Sequence, residues 1–352
     1  MNDTLVISPS GKLYGSERVL LDYVTNTSLK FDIIIPSGSD LEEVLLDTST
    51  RHKIITYNPA RTAFLYLKLF YSFFIGRYKK LYLNEAGHIK YILLLAKIFP
   101  KCLFTVHIRI LEDISPERWK LAKKNIPENI KLITISEYIS KRFPFRNQII
   151  CDPFTFNIYN SRPTYDKKQP LNIGIIGRVA HSKGIHLLPY LLEQVDKEYM
   201  SGKIIFHLFG DISEDLDHQV KASLSNRKNV ILYGYVKDHS SIYDNLNAVM
   251  HLSGTEPLGR IFFESVNRGL PFIGIKAGGI GETAAIYNYN ELMVDYADAN
   301  IMAVALINKL TLLIKDHSKY VNSIDEMKKK MMESMTVSIY CSRVDRIVSG
   351  GE

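Results

Sequence analysis

Two carboxylates, Glu256 and Glu264, stand with seven residues between them around Pro257-Leu258-Gly259-Arg260. The stretch from His251 to Ser265 reads as the end of a buried strand, a tight turn and the start of a helix. Gly259 lets a ligand approach the backbone closely. The first turn of the helix offers N–H groups and a positive dipole end, a place that holds a phosphate well. The carboxylates cannot help a phosphate. They suit hydroxyl-rich groups on either side of a diphosphate, a sugar at one end and a ribose at the other.

Four more loops bear on that chemistry. In Gly174-Ile175-Ile176-Gly177-Arg178-Val179-Ala180-His181-Ser182-Lys183-Gly184 a strand ends at Gly177 and a helix starts near Gly184. Arg178 and Lys183 can grip a diphosphate there, Arg through its planar fork and Lys as a point charge. They can equally be solvated cations of an ordinary loop. Ser8 to Val19 is a glycine-containing turn before a helix starting near Ser16, where the N–H groups of Gly15 and Ser16 can reach an anion or a serine can simply cap the helix. His107 ends a strand, with Arg109 two residues on, and suits hydrogen bonding or proton transfer. Ala277-Gly278-Gly279-Ile280-Gly281-Glu282 reads as a glycine loop after a strand. Asp215-Leu216-Asp217 resembles a metal motif but falls in a helical pattern and reads as a solvated face. There is no zinc spacing, nucleophile elbow or Walker loop.

The elements that must position these loops follow a βα rhythm. Strand-like runs at Thr4–Ser8, Phe31–Pro36, Lys53–Tyr57, Lys80–Leu83, Leu103–His107, Lys131–Ser136 and Gln148–Cys151 alternate with helical patterns such as Ser16–Val24 and Ala63–Phe74. The polar, proline-containing stretch Asn157 to Pro170 reads as a linker. The rhythm then restarts at Leu171–Gly177, Lys203–Phe209, Val230–Gly234, Ala248–Leu252 and Pro271–Ile275, with helices over His186–Val195, Glu214–Ser225 and Arg260–Arg268. The expected class is α/β, two domains with parallel sheets covered on both faces and ligands at the carboxyl ends of their strands. The boundaries expected are 1–160, 161–336 and a closing helix over 337–352 that crosses back to the first domain.

The chain has 352 residues, 46% hydrophobic and 23% charged, with a net charge of +7, as expected for a globular protein of two domains with an anionic partner. Three scattered cysteines fit a reducing compartment. The opening MNDTLVISPS lacks the features of a signal peptide, so a cytoplasmic location is expected. Thr62 to Gly76 is too short to span a bilayer and reads as a half-buried helix on a sheet. The alternative is an interfacial helix with Arg61, Lys68, Arg77, Lys79 and Lys80 near lipid head groups. The basic residues are dispersed, without a recognisable nucleic-acid-binding module.

In their order these loops resemble the retaining, nucleotide-sugar-dependent glycosyltransferases of family 4, the glycosyl transferases group 1 with the GT-B fold. The residues that carry the resemblance are Gly177-Arg178…Lys183-Gly184, Gly234-Tyr235-Val236, Glu256-Pro257-Leu258-Gly259-Arg260…Glu264 and Gly278-Gly279…Glu282. The resemblance implies two Rossmann-like domains facing each other across a donor and acceptor cleft. It implies that Arg178 and Lys183 hold the diphosphate, that the backbone from Leu258 through Gly259 to Arg260 binds the phosphate and sugar side, and that Glu256 serves the donor sugar and the transition state. Glu264 would take the ribose, and Tyr235 and Val236 the base. In the first domain Gly15 would face the phosphates and His107 the transferred sugar. Tyr14 stands where many relatives have a second glycine, and Arg109 where an acid is not unusual.

The implied activity is transfer of a hexosyl group, with retention, from a UDP- or GDP-sugar to a growing, lipid-linked glycan, as in cell-surface polysaccharide synthesis. No cofactor and no metal is expected, since the protein's own cations would neutralise the leaving diphosphate. Peripheral contact with the inner face of a membrane is expected to accompany a lipid-linked acceptor, and no nucleic acid. The alternatives are a nucleotide-sugar epimerase and a non-catalytic scaffold of the same fold.

Overall fold

The computed structural model describes residues 2–48, 50–122, 125–159, 163–238 and 241–351. The chain forms two compact units, Met1–Thr155 with Ser334–Glu352, and Phe156–Glu333. Each is built on one parallel sheet, as the βα rhythm predicts.

The first unit holds β1 (Thr4–Ile7), β2 (Asp32–Pro36), β3 (Lys53–Tyr57), β4 (Lys80–Leu83), β5 (Leu103–Ile108), β6 (Ile130–Thr134) and β7 (Gln148–Ile149), in the spatial order β3-β2-β1-β4-β5-β6-β7. The order reverses between β1 and β4, which pair in register from Thr4↔Lys80 to Ile7↔Leu83. The central strands are buried along their length, which explains their unbroken apolar runs. Helix Val337–Ser349 belongs to this unit and packs Tyr340, Val344, Ile347 and Val348 into its core. Tyr23 is the pivot of that core. Its ring stacks on Phe31 at 5.9 Å and meets Tyr82 and Tyr340 edge-on at 5.7 and 6.3 Å. Its hydroxyl donates to Asp345 at 2.8 Å. The same carboxylate accepts from the Thr27 hydroxyl and from the N–H and hydroxyl of Ser28. A buried charge is tolerable with that many partners.

The second unit holds β8 (Leu171–Ile176), β9 (Ile204–Phe209), β10 (Val230–Gly234), β11 (Ala248–His251), β12 (Phe272–Lys276) and β13 (Met293–Asp295), in the order β10-β9-β8-β11-β12-β13. Its reversal falls between β8 and β11, paired through Ala248↔Ile173 and Val249↔Gly174. In such sheets the crevice at the reversal, beyond the carboxyl ends, is where ligands bind.

The stretch expected as a linker begins beside the division between the units, and its first residues are held to the second: Asn157 N–H donates to Asn267 Oδ1 at 2.7 Å, and Tyr159 lies under the Arg268 guanidinium at 4.5 Å. Residues 160–162 of that stretch lie outside the described residues. The helix expected from Glu214 begins at His218, because Asp217 caps it by accepting from the N–H groups of Gln219 and Val220. Asp215 therefore precedes the helix. The glycine run after β12 is no loop but the start of helix Gly278–Ile286.

Candidate functional site

The reversal of the second sheet brings two loops together, Gly177 to Gly184 after β8 and Leu252 to Gly259 after β11. Gly184 makes this possible. It is left-handed at φ +78°, and a Cβ there would sit 2.3 Å from the Leu252 carbonyl. Ser253 completes the join by donating its hydroxyl to the Ser182 carbonyl at 2.9 Å. With the backbones so close, Lys183 Nζ donates to Glu256 Oε2 at 2.6 Å.

Glu256 is partly buried, its side chain 19% exposed. Burial alone would raise its carboxyl. The neighbouring His251 ring, 3.6 Å away at Nε2, and the Lys183 ammonium outweigh that and hold it at about 2. It is a carboxylate across the neutral range, an acceptor of hydrogen bonds and not a proton donor. His251 is buried at the end of β11, beneath that carboxylate. The sequence reading assigned it no role, although a histidine closing the strand before the Glu256 turn was the signal. Arg178 is exposed on the same loop as Lys183 and makes no hydrogen bond or ion pair with the described residues.

Helix Arg260–Asn267 follows the turn. Its N-cap is Gly259, left-handed at φ +81°, with no side chain capping the first turn. The glycine is needed for protein packing as much as for a ligand, because a Cβ there would lie 2.1 Å from Ile280 Cγ1. Beside it, Gly279 N–H donates to the Glu256 carbonyl at 2.7 Å. The glycines of helix Gly278–Ile286 therefore seat that helix against the Glu256 turn. Leu258 is buried and Arg260 half-buried. One turn into the helix, Glu264 accepts from the Tyr243 hydroxyl at 2.7 Å. Burial and the Glu264 charge push the Tyr243 hydroxyl far above its usual range. Tyr243 was missed, since nothing in a sequence joins residues 21 apart on different elements. Tyr235 is exposed and Val236 half-buried just past β10.

The corresponding end of the first sheet is different. His107 is fully buried on β5. Tyr82 Oη lies 2.8 Å and Arg109 Nη2 3.3 Å from its Nδ1. Arg109 can only donate, so Nδ1 accepts and the ring proton sits on Nε2, which is buried and has no hydrogen-bond partner among the described residues. Burial and the Arg109 charge push the ring well below the usual imidazole range, and it is neutral. Arg109 is itself buried and forms an ion pair with Asp152. It also donates to Asn84 at 3.0 Å and to Tyr340 Oη at 2.9 Å. Gly15 opens helix Gly15–Asn26 behind Tyr14, which offers no side-chain cap. The serine expected to cap that helix does not: Ser16 Oγ donates to Glu17 Oε2 at 2.9 Å. Nearby, burial and the Glu17 and Asp113 charges raise the Glu85 carboxyl to about 7.

The chain has matches among known proteins. Residues 160–334 fit the family model for glycosyl transferases group 1. The chain is similar to the phosphatidylinositol N-acetylglucosaminyltransferase gpi3 subunit of Schizosaccharomyces pombe, 27% identical over 143 residues, 40% of this chain and 31% of that protein. It is also similar to the capsular polysaccharide biosynthesis glycosyltransferase CapM of Staphylococcus aureus, 25% identical over 146 residues, 42% of this chain and 37% of that one. The matched stretch thus spans about a third of the length of these curated relatives. In structure the chain resembles Anabaena Alr3699/HepE, solved in complex with UDP and glucose, at a TM-score of 0.74 and 19% identity over 99% of this chain and 100% of that one. That likeness establishes the fold, the GT-B fold of two Rossmann-like units.

Proposed function

We propose, from the membership of residues 160–334 in the glycosyl transferases group 1 family, that this protein transfers a hexosyl group from a UDP-sugar to a growing glycan carried on a lipid. The observation that carries the proposal is the convergence of Lys183 and Glu256 at the reversal of the second sheet, beside the open start of helix Arg260–Asn267. UDP as the nucleotide draws support from Anabaena Alr3699/HepE, whose solved complexes hold UDP and UDP-glucose.

In this reading Lys183 and Arg178 meet the diphosphate together with the backbone from Leu258 to Arg260. Lys183 has three N–H groups, so one can stay on Glu256 while the others serve phosphate. The bond between the anomeric carbon and the β-phosphate oxygen breaks. The acceptor oxygen bonds the same face of that carbon, which retains configuration, and its proton passes to the departing phosphate. Negative charge grows on the β-phosphate, where the two cations and the helix dipole would stabilise it. Glu256, ionised, accepts hydrogen bonds from the donor sugar's hydroxyls. Glu264, oriented by Tyr243, accepts from the ribose, and Tyr235 and Val236 pack near the base. In the first unit Gly15, at the start of its helix, would offer backbone N–H groups to a phosphate. His107, being buried, is a positioning residue for Arg109 and Tyr340 in this scheme.

A thermal-shift panel of UDP- and GDP-sugars tests the proposal. A cognate donor at about a hundred times its Kd should add about 2.7 kcal/mol to stability. UDP-sugars should raise the melting temperature and GDP-sugars should not. Silence across the whole panel would count against the nucleotide-sugar reading.

A further inference from the structure

Helix Thr62–Phe74 buries one face, Leu65, Tyr66, Leu69 and Phe73, with Phe73 meeting Phe104 of β5 at 5.4 Å. A half-buried amphipathic helix should turn polar residues outward. This one does not. Phe64, Leu67, Tyr71 and Phe74 are all more than half exposed, as is Ile75 just beyond. The neighbouring helix Ile89–Ile98 adds Leu94 and Ile98, about half exposed. The two helices are in contact, Tyr66 stacking on Tyr91 at 4.3 Å and Phe70 meeting Phe99 at 5.4 Å. Seven large apolar side chains on two touching helices are thus left in water, more than singly scattered surface residues account for.

The segment that carries these helices is one-sided in charge, although Arg109 within it is buried and paired with Asp152. Between Asp47 and Glu112 there are eleven Lys and Arg residues and a single carboxylate, Glu85. That segment exceeds the +7 of the whole chain, so the remainder is net negative. Lys68 lies within the apolar face of its helix, with its ammonium 4.7 Å from the Phe64 ring. Lys90 and Lys97 flank Leu94 on the second helix at helical spacing, Lys101 follows that helix, and all three are exposed. Arg77 is half committed to Asp32 at 3.3 Å and still 38% exposed. Long basic side chains beside exposed aromatics match an interface with apolar depth and anionic head groups.

We infer that this face of the first unit, helices Thr62–Phe74 and Ile89–Ile98, docks on an anionic lipid bilayer. Among the described residues no helix is long and apolar enough to cross a membrane, so the surface lies on the bilayer and does not span it. Phe64, Leu67, Tyr71 and Phe74 enter the boundary between head groups and acyl chains, while the lysines hold the anionic head groups. The inference is independent of donor chemistry, because binding to lipid needs no nucleotide.

Flotation of the full chain with vesicles tests it. The chain should float with phosphatidylcholine mixed two to one with phosphatidylglycerol, and far less with phosphatidylcholine alone. Each of Lys68→Ala, Lys90→Ala and Lys97→Ala should weaken partitioning about fivefold, and raised salt should act in the same direction. Leu67→Ser with Phe74→Ser should abolish the binding that survives high salt. Trp119 is buried in the same unit, and its fluorescence reports whether each variant folds. If the serine pair fails to fold, the lysine series decides, since those side chains are exposed. Equal flotation with both vesicles, or partitioning that ignores the lysine variants, would overturn the proposal. So would concentration-dependent dimerisation abolished by the serine pair without any binding to vesicles, which would assign the face to a second copy of the chain.

Discussion

The cluster around His107 and Arg109 in the first unit and the cluster around Lys183 and Glu256 in the second are built from similar residue types at similar places. Both lie at the carboxyl ends of parallel strands, near the point where strand order reverses. Their surroundings differ. Arg109 and Asp152 are buried, and Tyr340 arrives from helix Val337–Ser349 to close over them. Lys183 and Glu256 keep 32% and 19% of their side chains exposed. The first cluster spends its charges on the protein. The second holds its charges in pairs that a ligand can still reach. Residue type alone does not distinguish structural chemistry from binding chemistry here; what covers the residues does.

The largest test of that contrast is Asp152→Ala. It would strand the buried Arg109 guanidinium, and breaking such a pair costs about 3–5 kcal/mol. Trp119 is the chain's single tryptophan and belongs to the first unit. Its fluorescence in urea should show the loss, while UDP binding by the second unit should persist. A loss below about 1 kcal/mol would mean that the Arg109 cluster is not the structural tie described.

A smaller effect sharpens the other side. The Glu256 carboxyl is held at about 2, below its ordinary value. A depressed carboxyl contributes stability that is fully present above the unfolded pKa and lost as pH falls through the folded one. Wild-type protein should therefore lose up to about 3 kcal/mol from this group between pH 5 and pH 2. Glu256→Gln should show a correspondingly flatter acid limb in circular dichroism. Identical acid limbs would show that Lys183 and His251 do not hold the carboxylate in solution.

The comparison also shows how far the sequence can be read. The parallel sheets were legible, because strands buried on both faces leave apolar runs such as Leu171–Ile176. The three-residue β13 was not, since so short a run carries no periodicity. The helix at Gly278 read as a loop because glycine runs ordinarily mark turns. Here the missing side chains let one backbone pack on another, and only the folded chain reveals that. The loops carrying Lys183 and Glu256 could be named, but their contact depends on Gly184 meeting Leu252 across 68 residues. His107 was legible as the end of a strand, but the Tyr340 ring 6.4 Å from it, 233 residues on in the chain, was not. The exposed aromatics of helix Thr62–Phe74 were visible as composition, but which of them face water was not.

Calorimetric titration with UDP tests the central claim most directly, that Lys183 and Glu264 bind a nucleoside diphosphate at the reversal of the second sheet. Lys183→Ala should weaken UDP binding about ten- to a hundredfold, as loss of a charge-assisted contact of about 1.5–3 kcal/mol requires. Glu264→Ala should weaken it as well. Glu256→Ala should leave UDP affinity nearly unchanged while removing sugar transfer. Wild-type UDP affinity in both Lys183→Ala and Glu264→Ala, or no UDP binding by the wild-type chain, would contradict the account.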